Sequence, residues 1–363
     1  MTQSAAQMTP PAGVDIKSLS REGLRSWIAE ELGERAFRGD QLFRWLHGRC
    51  ARDFEGMTDL SKAFRLKLQE VAHIGGLELD EVMVAKDGTR KLLLRTWDGH
   101  RIETVVMPMG DRITQCISSQ VGCKIGCDFC LTARMTKRRD LTAAEIVDQV
   151  LWGARIVSAP EAEDMPGNRV GNLVYMGMGE PLDNFDAVLE SIRILMDDSG
   201  QNYAGRRITV STSGLAARIP ELGHAVPVNL ALSLNASNDE VRNRLIPINR
   251  KWDIAKLIEA LEAFPLPPRR RITVEYVLLA GVNDTLEDAR RLKGLLRNLR
   301  GKIKVNLIPF NPWPGAPYGR PDPEHVDAFG SLLRSARFHV TVRYSKGDDI
   351  GAACGQLDGA IAA

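Results

Sequence analysis

The chain has 363 residues, 44% of them hydrophobic and 26% charged, with a formal net charge of +2. That length suits one large domain plus a small one, the composition is ordinary for a soluble globular protein, and no stretch reaches the ~20 apolar residues a membrane helix needs. The slight positive charge permits an RNA partner without arguing for one, and six cysteines without a secretory signal imply a reducing cytoplasm, where thiols serve metals or chemistry.

Residues 1–13 are small, polar and proline-containing, and read as a loose tail. From about Ile16 to Val71 the apolar spacing is helical. Leu24, Trp27, Ile28 and Leu32 precede Gly33; Phe37, Leu42, Phe43, Trp45 and Leu46 make a second group, and Leu60, Phe64, Leu66 and Leu68 a third. Short helices without a strand predict a small helical domain over 14–75, with Trp27 and Trp45 in its core and Cys50 structural. Over 76–108 the pattern turns to β segments at 78–84, 91–97 and 101–107. Asp87-Gly88 and Asp98-Gly99 between them are hairpin signals, so this stretch reads as a β-hairpin connector. Glu103, in the third segment, reads on its own as an exposed carboxylate on an edge strand.

Over 109–345, strands predicted at 112–118, 172–178, 207–212, 228–235, 271–279 and 303–310 alternate with helices near 141–157, 183–197, 214–223, 253–263, 284–298 and 322–336. Six βα units predict an α/β fold, a partial (β/α)6 barrel short of the eight units that close the common form, with an open side for a large substrate. A further strand over 339–345 precedes a glycine-rich tail, 346–363. Polar groups gather where the strands end: Gly177-Met178-Gly179-Glu180-Pro181, Ser211-Thr212-Ser213, Ser233-Leu234-Asn235 and Asn311-Pro312. In parallel β/α folds these ends share one face. Taken singly, the glycines make a tight turn, Ser213 caps a helix and Asn311 starts a turn. The basic groups Lys137-Arg138-Arg139, Arg269-Arg270-Arg271 and 290–304 read as solvated faces or phosphate contacts.

Chemistry centres on Cys123, Cys127 and Cys130, a CxxxCxxC with Gly122 and Gly126 for tight backbone. Three thiolates suit a [4Fe-4S] cluster, which normally takes four, and leave one iron with an open position. A structural zinc site would need a distant fourth ligand, and a disulfide framework has no role in a chain of this size. Two cysteines lie outside this group. Alternation puts Cys116 on the face of Thr114 and Ser118, opposite Ile113 and Ile117. Cys354 sits among small residues that leave its sulfur accessible. A nucleophilic or disulfide-forming pair competes here with buried, inert thiols.

The CxxxCxxC with Phe129 before its last cysteine resembles the radical S-adenosylmethionine (SAM) superfamily. CISSQVGCKIGCDFC, GMGEP, RRITVSTSG, LIPFNPWPG and DIGAACGQL resemble, over nearly the whole chain, the RlmN family of dual-specificity ribosomal and transfer RNA adenine-C2 methyltransferases. The resemblance implies a radical SAM barrel behind a helical RNA-binding domain, with a [4Fe-4S] cluster on Cys123, Cys127 and Cys130. It implies SAM contacts at Gly179, Glu180, Ser211, Ser233, Leu234, Asn235 and Asn311. The family usually has His where this chain has Asn235; Asn still hydrogen-bonds there but cannot titrate.

Carbon-2 of adenine is electron-poor and has no lone pair, so the family uses two SAM molecules. One methylates Cys354; the other is cleaved reductively, and the radical it yields activates the S-methyl carbon for addition to the base. Glu103 then removes the C2 proton, in place of the exposed role its strand suggests, and Cys116 attacks Cys354 to release methylated RNA. The resemblance further implies 23S rRNA and tRNA anticodon-loop substrates, a flavodoxin-like electron donor, a cytoplasmic monomer and no membrane. Its rivals are adenine-C8 methylation of the Cfr type, another radical SAM reaction that leaves Cys354 dispensable, and a non-enzymatic iron–sulfur redox sensor.

Overall fold

A computed structural model describes residues 12–135, 139–162 and 165–359; Lys137, Arg138 and most of the expected N-terminal tail lie outside them. The N-terminal layer is helical except that, contrary to the strand-free reading, Val14–Asp15 and Ala72–His73 pair as two short parallel strands. In α1 (Arg21–Leu32) Ser20 Oγ accepts from the Gly23 N–H, and Gly33 ends the helix at φ +59°, a left-handed conformation glycine takes without strain. The second helix, α2 (Phe37–Phe43), runs on into a π turn over Arg44–Gly48. The third, α3 (Lys62–Val71), starts later than its apolar spacing suggests, because Ser61 acts as its cap. Leu24, Ile28, Leu42, Phe43, Phe64 and Leu68 are buried in the same apolar core as the sheet, and Trp27 and Trp45 pack half-buried against it. The buried Lys17–Asp148 ion pair ties this layer to the rest of the chain.

Ten strands form one sheet whose spatial order follows the chain. Strands β1 (Glu78–Val84), β2 (Arg90–Arg95), β3 (Arg101–Met109) and β4 (Arg112–Cys116) run antiparallel. From β4 onward the sheet is parallel through β5 (Val170–Tyr175), β6 (Ile208–Thr212), β7 (Asn229–Ser233), β8 (Ile272–Leu278), β9 (Ile303–Pro309) and β10 (Val340–Val342). The crossovers carry α4 (Ala143–Val157), α5 (Phe185–Met196), α6 (Arg218–Ala225), α7 (Asp239–Leu245), α8 (Ile254–Ala263), α9 (Leu286–Leu295) and α10 (Pro323–Ser335). Among the described residues edges β1 and β10 do not pair, so this β/α barrel is partial.

Three further sequence readings change. The connector strands continue the barrel sheet, because Val105 pairs with Cys116 and Met107 with Thr114 across β3 and β4. Glu103 therefore lies in an interior strand and is fully buried, not exposed on an edge. The short helix α7, capped by Asn238, was not anticipated. Among the described residues no helix is long and apolar enough to cross a membrane.

Candidate active site

The loop after β4 is built to bring three sulfurs together. Gly122 and Gly126 take φ +74° and +76°, which side chains rarely adopt. The Asp128 N–H donates to the Leu245 carbonyl at 3.0 Å and Trp313 Nε1 to the Phe129 carbonyl at 3.2 Å. Ile125 and Phe129 bury with Leu245, Ile246, Leu279 and Phe310, and Cys123, Cys127 and Cys130 pack against that cluster.

All three thiols line one cleft at the strand ends. Burial pushes the Cys123 thiol up to about 12 and raises Cys127 and Cys130 as well. Without a metal these thiols stay protonated, whereas a cationic centre deprotonates them outright. Among the described residues no three His, Cys, Asp or Glu side chains converge on one ion-sized point. Three soft donors opening onto a roomy cleft fit a [4Fe-4S] cluster with one iron left free of protein thiol.

Gly179, Glu180, Ser211, Ser233, Asn235 and Asn311 line the same cleft. Leu234 does not; its side chain is fully buried, and its backbone N–H donates to the Glu275 carbonyl. Gly179 sits at φ +103°, and a Cβ there would lie 2.6 Å from Gln120 Cβ. Glu180 is buried and already accepts from Ser213 N–H and Oγ, both at 2.7 Å, and from the Leu182 N–H at 3.1 Å. Burial raises its carboxyl while the Ser213 bonds pull it down. Ser213 is thus no helix cap, and α6 begins only at Arg218.

Ser211 Oγ donates to the Tyr175 carbonyl at 2.8 Å. Asn235 adopts φ +55°, and its Oδ1 accepts from the Val277 N–H at 2.8 Å, stapling β7 to β8. Asn311 Nδ2 donates to Ser345 Oγ at 2.7 Å and to the Cys354 carbonyl at 3.2 Å. It therefore positions the C-terminal segment as well as facing the cleft.

One residue that organises this rim escaped sequence reasoning. Arg242, in α7, is fully buried and gathers the ends of β6 and β7. Its guanidinium donates to the carbonyls of Leu234 (2.9 Å), Ser213 (2.5 Å) and Ser233 (3.2 Å) and to Asn249 Oδ1 (2.8 Å). Burial lowers it to about 10. The only signal in the sequence was an arginine on a short polar helix, which normally faces water.

A second, smaller cavity shares Cys130 and Cys354 with the first and is also lined by Cys116 and Arg343. Both Cys116 and Cys354 are free thiols. Burial pushes Cys116 up to about 12, with Cys354 adding to the rise. Cys354 opens to solvent as a residue, yet desolvation of its sulfur still raises the thiol against the opposing pull of Arg343.

The segment around Cys354 is anchored on several sides. The Leu131 N–H donates to the Gly355 carbonyl at 2.8 Å, Thr132 Oγ1 to the Leu357 carbonyl at 2.6 Å, and Gln356 Nε2 to the Pro312 carbonyl at 2.8 Å. Glu103 meets the same segment: its Oε2 accepts from the N–H groups of Asp358 (3.0 Å) and Gly359 (3.3 Å). Its Oε1 pairs with Lys91 Nζ at 2.9 Å. Burial raises the Glu103 carboxyl and Lys91 opposes that rise. The structure thus brings Cys116, Cys354 and the cluster thiols to adjoining cavities and Glu103 to the flank of the Cys354 segment.

Comparison with known proteins agrees with this architecture. The family described as "Ribosomal RNA large subunit methyltransferase N-terminal domain" matches residues 14–74, and the radical SAM superfamily matches residues 117–292. The chain is 47% identical over 348 residues to the dual-specificity RNA methyltransferase RlmN of Geotalea uraniireducens, covering 96% of this chain and 97% of that one. It is 48% identical to the protein of the same name from Geobacter sulfurreducens, covering 96% and 93%. A crystal structure of a radical SAM methyltransferase from Sphaerobacter thermophilus superimposes with a TM-score of 0.86 at 43% identity, covering 96% of this chain and 100% of that one.

Proposed function

Since this chain belongs to the RlmN family of radical SAM RNA methyltransferases, we propose that it methylates C2 of an unpaired adenine in 23S rRNA and in the tRNA anticodon loop. Cys123, Cys127 and Cys130 would hold the [4Fe-4S] cluster, with Gly179, Glu180, Ser211, Ser233, Asn235 and Asn311 around SAM. When bound, cluster and SAM supply one-electron chemistry that ordinary side chains lack.

The protein's own groups carry the rest. Cys354 is the methyl carrier: its thiolate forms the S–C bond as the donor's C–S bond breaks. Once the carried carbon is joined to C2, the carboxylate of Glu103 takes the C2 proton. Cys116, giving up its thiol proton, then attacks the sulfur of Cys354; the S–S bond forms as that sulfur's bond to the carried carbon breaks, and the electron pair stays on that carbon, which takes up a proton to become the methyl group and frees the RNA. An external donor must reduce the disulfide before the next cycle. The target base has to be splayed from its stack to reach Cys354, which suits loop adenines.

One observation carries this reading: two free thiols distant in sequence line a single small cavity whose wall includes Cys130. The test is anaerobic turnover of the reconstituted protein with SAM and RNA, followed by digestion and mass spectrometry. The expected product is 2-methyladenosine, absent with Cys354→Ala. Formation of 8-methyladenosine, methyl transfer by the Cys354→Ala protein, or no 5′-deoxyadenosine under reducing conditions would each refute it.

A further inference from the structure

We infer that Lys91 and Glu103 form a charge latch on the segment that carries Cys354, seated while Glu103 is ionised and released when Glu103 takes up a proton. The inference rests on the reading of Glu103 as base and Cys354 as methyl carrier. It makes Lys91 a positioning residue for the reaction.

The geometry begins in the sheet. Lys91 stands opposite Val105 and Leu93 opposite Glu103 across β2 and β3, so the two charged side chains lie diagonally on one face. Lys91 is 6% exposed and Glu103 not at all. A buried pair of this kind holds only while both partners are charged, since a lone buried charge is costly. Each partner also grips the C-terminal segment. Lys91 Nζ donates to the Gly351 carbonyl at 3.5 Å, and Glu103 Oε2 accepts the Asp358 and Gly359 N–H groups.

These grips fall on either side of Cys354. Gly359, at φ +68°, is pressed so close to β3 that a Cβ would lie 2.8 Å from the Arg101 carbonyl oxygen. The charged groups facing the carboxylate are Lys91 from β2 and Asp358 from the segment itself. From the other elements packed on this stretch of β3, Ser118 Oγ donates to the Glu103 carbonyl, and Met178 Sδ accepts from the Glu103 N–H.

In the reaction the C2 proton passes to a carboxylate oxygen of Glu103 while the C–H electron pair stays with the base. The carboxylate becomes a neutral carboxylic acid. Its attraction to Lys91 is lost, and two charge-assisted N–H bonds become neutral ones of about half the strength. The segment loosens at the moment the Cys354 sulfur must turn toward Cys116. Proton removal thereby precedes disulfide formation, and the carrier is held still for the steps before it.

The test is hydrogen–deuterium exchange of peptides covering 351–359 in the cluster-loaded protein, corrected for intrinsic exchange. Glu103→Gln, a neutral stand-in for the protonated acid, should exchange about tenfold faster there than wild type. Wild-type protection should fall as the pH is lowered toward the ordinary carboxylate range, Glu103 protonating above it because burial raises its carboxyl, and the Glu103→Gln protein should lack that dependence. Lys91→Arg should behave as wild type. The double variant Lys91→Met with Glu103→Gln leaves no lone buried charge, so it keeps the test open if single variants fold poorly; it should match Glu103→Gln.

Wild-type protection in Glu103→Gln, or in the double variant, overturns the latch. Methyl transfer is measured on the same samples. A Glu103→Gln protein that still methylates RNA removes the base reading, whereas the latch stands or falls on the exchange rates alone.

Discussion

Replacing Arg242 by Met should loosen the rim of the cleft proposed to hold SAM and lower stability together. The guanidinium satisfies three backbone carbonyls, of Ser213, Ser233 and Leu234, and the Asn249 side chain. Each buried acceptor left without a donor costs about 1–3 kcal/mol, but water from the cleft can reach some of them. The cation itself is poorly solvated, as its lowering to about 10 indicates, so removing it recovers part of that loss. A net cost of about 3–5 kcal/mol follows.

A chain of 363 residues unfolds with an entropy of about 0.8 kcal/mol/K, so the thermal midpoint should drop by about 4–6 °C. Ser213 holds Glu180, and Ser233 leads into Asn235, so both of these cleft-lining groups, the proposed SAM contacts, shift with it. Binding of S-adenosylhomocysteine should weaken about tenfold, or 1.4 kcal/mol. Arg242→Lys keeps the charge but cannot span the fork, and should fall between. Scanning calorimetry and anaerobic titration calorimetry read the two effects. A midpoint within about 1 °C of wild type together with unchanged binding would refute this account of the rim.

Gly179→Ala and Gly33→Ala form a matched pair. Both glycines have positive φ, but a Cβ at 179 would sit 2.6–2.8 Å from Gln120 and Ser119 atoms, whereas the space at 33 is empty within 4 Å. Gly33→Ala should cost about 1 kcal/mol and spare ligand binding; Gly179→Ala should cost two or three times as much by the same calorimetry and weaken S-adenosylhomocysteine binding. His47 gives a pH signature. Both its ring nitrogens are buried without a partner, and burial, with Lys17 adding, lowers it to about 3. Its folded value lies below its unfolded one, so its contribution is complete above about pH 6.5 and is lost progressively toward pH 3. Thermal midpoints of His47→Leu should therefore fall less than those of wild type across that window, and parallel curves would refute the assignment.

The barrel was legible because its signals are local. Strand ends rich in Gly, Ser and Asn mark the active face by the logic of parallel β/α folds, and the CxxxCxxC is complete within eight residues. What stayed hidden depends on pairing between distant segments. Glu103 reads as an edge carboxylate until β3 is known to pair with β4, a register no local pattern encodes. Lys91 and Arg242 look like surface cations because their partners, a carboxylate on the next strand and carbonyls two elements away, exist only in the fold. Leu234 lies between Ser233 and Asn235 with its side chain turned to the core by alternation, so any ligand contact there falls to its backbone. At Asn235 the left-handed backbone and the bond to Val277 give the side chain a structural task that needs an acceptor but no titration.

The partial closure of the barrel accounts for how residues so far apart in the chain meet. The sheet has two unpaired edges, and β10 brings the chain to one of them just before the C-terminal segment. From there the segment crosses to β2 and β3 on the other side, fastened at Asn311, Leu131, Thr132 and Glu103 on the way. A closed barrel would leave no such path. A methyl carrier also has to visit a donor, a base and a resolving thiol, which a rigid strand residue cannot do. Placing Cys354 on a strap across the opening, held by hydrogen bonds rather than by a sheet ladder, gives it a defined resting position and freedom to leave it. In the proposed reaction Glu103 on β3 and Cys116 on β4 would then stay fixed while Cys354 alone moves.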